Sequence, residues 1–336
     1  MSGGTRRLGR RLVLAAAAAA LSALVASGVV ASGQASGTSV ESRVDSLVSK
    51  MTLDEKLEQL QLEADWQVND DEARRGVGGV FSLTDPEKID HLQHVAVEQS
   101  RLHIPILFAF DTIHGFRTVF PIPLGEASSF DPNVALADAH YGARETAVTG
   151  IKQIYSPMVD VSHEPRWGRI SEGAGEDPYL GAVIATARVR GFQGNGLGNT
   201  DAVMACAKHF AAYGAAIGGR DYNSVDMSDH TLWEIYLPPF KAAADAGAAT
   251  FMNSFNDLNG IPATGNSYLQ RDILKGKWNF KGFVVSDWGS IGEMINHGYA
   301  KDNNEAALEA VTAGSDMDME SRSYIDNLSK LVQEGK

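Results

Sequence analysis

The chain has 336 residues, 44% of them hydrophobic, with 42 acidic against 29 basic side chains and a formal net charge of −13. That is ample for a large core and long for one ordinary domain, but normal for an α/β barrel. So acidic a chain argues against nucleic acid or an anionic membrane surface as a partner.

The first residues fall outside the expected fold. Arg6, Arg7, Arg10 and Arg11 precede an apolar, alanine-rich run over 12–30, and small residues follow up to Gly37. A basic head, an apolar centre and a small-residue exit predict a secretory signal peptide over 1–35. Val29-Val30-Ala31 and Gly33-Gln34-Ala35 both fit a cleavage site, and the paired arginines leave a twin-arginine route open. A membrane anchor ranks second because alanine is only weakly apolar, so no stable anchor is expected. Removing 1–35 takes away four arginines and no acid, leaving the remainder more acidic still. The single cysteine, Cys206, lies between two alanines and reads as a buried apolar residue. Export without an internal disulfide suits a bacterial periplasm or exterior.

From Val40 to about Leu62 the apolar residues Val44, Leu47, Val48, Met51, Leu53, Leu57 and Leu60 recur at helical spacing. Thr52 and Glu55 predict a capping box that starts a second helix within that run. The glycine-bracketed stretch around Val80 and Phe81 reads as a short strand, and a helix is expected from Pro86 to about Leu102. After that one unit repeats: an apolar strand ending in polar residues, then a helix. Strand 104–110 leads to Asp111, and 154–161 leads to the loop from His163 to Arg169. Strand 203–207 leads to Lys208 and His209, 250–252 to Asn253, and 283–285 to Ser286 and Asp287; 313–319 reads as one more. This alternation predicts a parallel sheet closed as a TIM-like (β/α)8 barrel over 36–336, with room for an irregular or incomplete strand set. A doubly wound sheet is the runner-up, but the glycine-rich phosphate loop that should follow its first strand is not found. The run Gly191 to Gly196 follows a helical stretch and reads as a surface turn.

One polar strand end means little, since Asp287 alone is as well explained as a helix cap. Several on the same edge of one barrel converge on a single cavity. Asp111, Arg166 or Arg169, Lys208, His209, Asn253, Asp287 and Trp288 supply acids, long donors and an aromatic platform. Sugars call for that mixture, because their hydroxyls need donors and acceptors while a C–H face stacks on indole. No His or Cys cluster has metal-ligand spacing, so neither a metal nor another cofactor is expected.

Asp111 in Phe-Ala-Phe-Asp, the run from Glu164 to Arg169, Lys208-His209-Phe210 and Val285-Ser286-Asp287-Trp288-Gly289 resemble, in that order, the family-3 glycoside hydrolases. The likeness is to the periplasmic bacterial β-glucosidases within that family, and it runs from about Val40 onward. It implies a barrel domain and a retaining mechanism on terminal β-glucosyl residues of oligosaccharides, with Asp287 as nucleophile. It further implies that Asp111, Arg169, Lys208 and His209 hold the sugar, and that Met252, Phe255 and Trp288 line the same subsite. Many relatives carry tyrosine where this chain has Phe255, which removes one hydroxyl contact.

The residues agree with that chemistry. An ionised carboxylate attacks the anomeric carbon and water later releases the sugar, so Asp287 must carry charge, with Lys208 nearby to help. Asp111 suits accepting from two hydroxyls, while Arg169 and His209 are expected to donate. Plainer readings stand for others. Arg166 is expected to pair with Glu172 or Glu176, His163 to satisfy a loop carbonyl and Glu293 to face solvent. Asp316 and Asp318 read as polar lining of the barrel. In isolation Lys208 would also fit a Schiff-base lyase.

Retaining chemistry needs a second carboxyl group to protonate the leaving oxygen. In relatives of this type it is a glutamate on a sandwich-like domain, and the expectation is that this chain ends before it. The loop after Lys208-His209 lacks the Asp–His pair that one branch of the family uses instead. A C-terminal domain or partner chain is therefore expected to supply the acid, with low activity for this chain alone. A β-xylosidase or arabinofuranosidase of the same family, and a non-catalytic glycan-binding barrel, remain open.

Overall fold

The computed structural model describes residues 39–336, so the export signal expected over 1–35 lies outside them. Two units divide the chain, one ending at Ser49 and the other running from Lys50 to Lys336. The described part of the first unit opens the helix Val40–Lys50.

In the second unit the chain makes ten strands. They are β1 (Gln61–Ala64), β2 (Gly79–Phe81), β3 (Leu107–Phe110), β4 (Gln153–Ile154), β5 (Cys206–Phe210) and β6 (Thr250–Asn253), then the hairpin β7 (Asp257–Leu258) and β8 (Ile261–Pro262), then β9 (Phe283–Val285) and β10 (Asp318–Met319). The parallel order β10-β1-β2-β3-β4 is continuous, as is β5-β6-β9. Single parallel bridges join the two sheets, Gln153 with Met204 and Met158 with Lys208 at one seam, and Val285 with Met317 at the other. Backbone bonds carry both seams: the Ile154 N–H donates to Met204 O at 3.0 Å and the Met317 N–H to Val284 O at 3.1 Å. The ring closes as a TIM-like barrel with an irregular strand set, as the repeated strand–helix unit predicted.

The strands read as nearly unbroken apolar runs because helices cover them outside and side chains fill the barrel inside. Leu62, Phe81, Ala109, Tyr155, Cys206, Met252, Val285, Met317 and Met319 form that interior. On the outer face Phe210, Phe240 and Phe251 pack edge to face or tilted, with centroids 5.2–6.2 Å apart. Just before β9, a Cβ on Gly282 would lie 1.9 Å from Ala249 O, so only glycine lets that strand approach β6.

Local signals held where the partner is local. Thr52 Oγ1 accepts from the Glu55 N–H at 3.2 Å and Glu55 Oε2 from the Thr52 N–H at 2.8 Å, completing the capping box. They failed where it is distant. The helical run expected to reach Leu62 stops at Glu58, because Gln61 and Leu62 pair with Asp318 and Met319 of β10. The helix expected from Pro86 to Leu102 ends at His94 and continues as a π-turn over Val95–Gln99. The strand expected over 154–161 keeps only Gln153–Ile154. Pro157 has no N–H to offer a ladder, and the chain beyond it runs as a loop into the barrel mouth. Among the described residues no helix is long and apolar enough to cross a membrane.

Candidate active site

The C-terminal strand ends bring the chemistry together. Asp111 follows β3, and its Oδ1 accepts from Lys208 Nζ of β5 at 2.9 Å. In a regular strand, neighbouring side chains point to opposite faces. The ladder between β5 and β6 shifts register between Ala207 and Phe210, and Lys208 and His209 both serve the mouth. Lys208 is buried, and burial, the largest single effect, pulls its pKa down, yet the carboxylates of Asp111, Glu172 and Asp287 together hold its ammonium above the ordinary value. A charged, paired lysine is not the free amine a Schiff base requires, so the lyase reading loses its nucleophile.

Asp160, in the loop after β4, fixes His209. Its Oδ2 accepts from the His209 backbone N–H at 2.9 Å and lies 2.8 Å from Nδ1, with both side chains fully buried. Burial, with the positive charges of Arg169 and Lys208 nearby, holds His209 well below its ordinary pKa, so the contact joins a neutral imidazole rather than an imidazolium. With Oδ2 accepting already from the backbone, Nδ1 carries the proton and Nε2 turns its lone pair to the mouth. In that tautomer the atom His209 offers to the mouth is an acceptor, where donation was expected. Nε2 has no hydrogen-bond partner and stands 3.6 Å from Asp287 Oδ2, which has none either.

Asp287 follows β9 by two residues. Its Oδ1 accepts the Trp288 backbone N–H at 2.7 Å, which leaves Oδ2 without a hydrogen-bond partner. Burial raises its pKa to about 7, against the opposing pull of Lys208, the Trp288 N–H and Arg169. The expectation that Lys208 keeps this carboxylate charged is thus met in sign and outweighed in size. Lys208 spends its bond on Asp111, and desolvation wins at Asp287.

Arg169 is anchored rather than free. Its Nε and Nη2 donate to Glu172 at 2.7 and 3.1 Å, and its guanidinium lies 5.6 Å from the Tyr213 ring centroid. The sequence pointed to Glu172 or Glu176 as the partner of Arg166. Arg166 is exposed and turns back on Glu164, Nε to Oε1 at 2.9 Å and Nη2 to Oε2 at 2.6 Å, because those two share one tight turn. His163 Nε2 meets Glu176 O at 3.0 Å, as expected of a loop-satisfying histidine.

Aromatic rings wall the cavity on two sides. Phe255 stacks on Tyr222 at 4.2 Å and lies 5.9 Å from Tyr213, which packs on Trp167 and His209. Trp288 meets the edge of Phe81 at 5.1 Å and Trp66 at 5.8 Å. Met252 sits lower, within the filled barrel interior. Glu293, expected in solvent, is half-buried, with burial raising its pKa, and it shares a cleft of about 300 Å³ with Tyr222, Asn296 and His297. The Asp316 carboxylate leaves the lining for Lys275 Nζ at 2.6 Å, and Asp318 turns to Ser321 and the Tyr324 N–H. Among the described residues no three His, Cys, Asp or Glu side chains are placed to hold a metal ion.

A parallel barrel carrying acids, paired cations and indoles at its C-terminal mouth has its candidate site where βα-barrel proteins carry their chemistry. Over residues 52–336 the chain matches the glycosyl hydrolase family 3 N terminal domain, and it belongs to that family. It is 45% identical over 299 residues to the periplasmic beta-glucosidase of Salmonella typhimurium, covering 87% of this chain and 39% of that protein. A beta-xylosidase of Formosa agariphila is 36% identical over 266 residues, covering 75% and 37%. The structure of a beta-glucosidase from Listeria innocua in complex with glucose superimposes with a TM-score of 0.83 at 39% identity, over 87% of this chain and 44% of that one. The chain therefore spans about two fifths of the length of these relatives.

Proposed function

We propose that residues 36–336 are the barrel part of an exported, retaining exo-β-glucosidase with Asp287 as its nucleophile. The observation that carries this reading is Asp287 Oδ2: buried at the C-terminal end of β9, 3.6 Å from His209 Nε2, and left without a hydrogen-bond partner. In the first step this oxygen bonds to the anomeric carbon as the glycosidic C–O bond breaks and the leaving oxygen takes a proton from a general acid. In the second step water attacks the same carbon, the ester to Asp287 is released, and the acid recovers its proton. Asp111 and the Nε2 of His209 accept from sugar hydroxyls, Lys208 and Arg169 donate, and Trp288 and Phe255 flank the ring. Export to the periplasm or exterior follows the basic, alanine-rich start of the chain and the naming of the Salmonella relative.

The general acid is proposed to come from outside this barrel, from a further domain or a partner chain. The carboxylates around Asp287 are committed: Asp111 to Lys208, Glu172 to Arg169, and Asp160 to His209. General acid assistance is worth about 10²–10⁴-fold, so this chain alone should cleave cellobiose very poorly. Should it turn cellobiose over readily, the acid lies within the chain, and half-buried Glu293 is the first group to replace.

2-Deoxy-2-fluoro-β-glucosyl fluoride tests the nucleophile without needing an acid, because fluoride leaves unaided. Intact-mass spectrometry should find one added sugar, and peptide mapping should place it on Asp287. A folded chain that stays unlabelled while binding glucose would favour the non-catalytic barrel. The beta-xylosidase relatives support one further reading, and faster labelling by the corresponding xylosyl reagent would select it.

A further inference from the structure

The ladder of β3 ends at Phe110, so the backbone that carries Asp111 into the mouth must be held by side chains. Neighbouring helices supply them. Thr112 is buried, and its hydroxyl donates to Thr146 Oγ1 at 3.1 Å, because the Thr146 proton is already given to Gly142 O at 2.8 Å. Further along, Glu145 accepts from the Arg117 and Thr118 N–H groups at 2.8 and 2.7 Å. Between these clamps, Ile113 O accepts from Nη1 of Arg188 at 2.7 Å. Arg188 is 3% exposed on the helix Pro178–Gln193, and its Nη2 is bound by Glu126 of the helix Pro123–Ala127. No step of the proposed chemistry uses either side chain.

Stability is a poor reason for such a pair. Two charges lose their water on burial, and an apolar pair of similar volume often serves a fold as well or better. What an apolar pair cannot do is donate to Ile113 O. A guanidinium is a planar, rigid fork, so holding Nη2 on Glu126 sets the direction in which Nη1 points. The carbonyl it reaches lies two residues beyond Asp111, whose side chain is 53% exposed and meets Lys208 through Oδ1. One contact sets a distance but not an angle. The remaining constraint on that carboxylate comes through its backbone.

We propose that Arg188, braced by Glu126, is a positioning residue that aims the Asp111 carboxylate at the sugar by fixing the carbonyl of Ile113. The proposal rests on the hydrolase reading, and the test separates the two. R188K keeps a buried cation for Glu126 but has no fork with which to reach Ile113 O as well. It is compared in two backgrounds, native and D111N. In the native background kcat/KM for β-glucosyl fluoride should fall about three- to tenfold. In D111N the same substitution should cost less than about twofold, because members of one network are not additive. An equal fall in both backgrounds would make Arg188 a packing residue, and no fall in either would leave it idle; both results overturn the proposal. Should R188K fail to fold by circular dichroism, E126L/R188M removes both charges together and must show the same dependence on Asp111. If the native chain turns over no fluoride, the hydrolase reading falls, and calorimetry then decides the positioning role. R188K must weaken glucose binding in the native background and spare it in D111N, or the proposal falls as well.

Discussion

Two buried cations in this barrel face opposite fates. Arg188, on the helix Pro178–Gln193, pairs with Glu126 where both side chains are sealed, at 4% and 0% exposure. Lys208 is as deeply set at 5%, but its partner Asp111 is 53% exposed to the mouth. Arg188 Nη1 also donates to Ile113 O at 2.7 Å, two residues beyond Asp111, so the sealed pair holds the loop that the open pair uses. A closed pair is shut away from any ligand. An open one has a carboxylate oriented by a cation and still facing water. The open pair stands at the candidate site, where Asp287 Oδ2 and His209 Nε2 are among the buried atoms left without a partner.

The largest effect should come from the least satisfied of these. D287N removes the attacking oxygen, and turnover of β-glucosyl fluoride should fall by about 10⁴-fold or more, with no sugar adduct by mass spectrometry. A labelled D287N protein would move the nucleophile elsewhere. The comparison between cations comes next, with R188M and K208M read by both urea denaturation and turnover. Breaking a sealed pair strands a buried charge, so R188M should cost about 3–5 kcal/mol in unfolding free energy. K208M should unfold close to wild type, because Asp111 already meets water, while losing about 10–100-fold in turnover through a charged hydrogen bond. The reverse pattern would erase the distinction between the two pairs.

The raised pKa of Asp287 gives the comparison a pH axis. The carboxylate must be ionised to attack, so kcat/KM for the fluoride should rise with pH and level off above an acid limb near 7. Asp160 is pushed to the same value by burial, so a second carboxyl titrates in the same range. For stability the sign is opposite. Both groups are raised above their unfolded values, so the stability they contribute is complete near pH 4 and is lost as pH rises through about 7. A limb near pH 4 would mean that Lys208 and Arg169 dominate the site after all.

What the sequence made legible follows from where each partner lies. Asp111, Lys208 and Asp287 could be read because a carboxylate or amine just beyond an apolar run has only the barrel mouth to occupy. Asp160 could not, since its role rests on two bonds to a histidine 49 residues further on. Trp66 was hidden by the same fault that hid β1: Gln61–Ala64 becomes a strand only through pairing with β2 and β10. Without that strand, Trp66 has no barrel edge to stand on. Arg166 was expected on Glu172 or Glu176 and takes neither, because spacing alone does not say which guanidinium turns inward.

Those two arginines supply the smallest and most discriminating test. Arg169 and Arg166 are three residues apart in one loop, each held by a carboxylate through two nitrogens. Arg166 is solvent-facing, where a held geometry gains little, so R166A should leave both the urea midpoint and turnover unchanged within error. E172Q removes the charged acceptor that orients Arg169 beside Tyr213 and should lower turnover about tenfold by raising KM, with the fold intact by circular dichroism. Equal effects from the two substitutions would mean that the loop acts only as a brace. A loss confined to E172Q would show that one arginine of an otherwise similar pair is aimed at the substrate, as its half-buried ion pair and its place over an aromatic ring require.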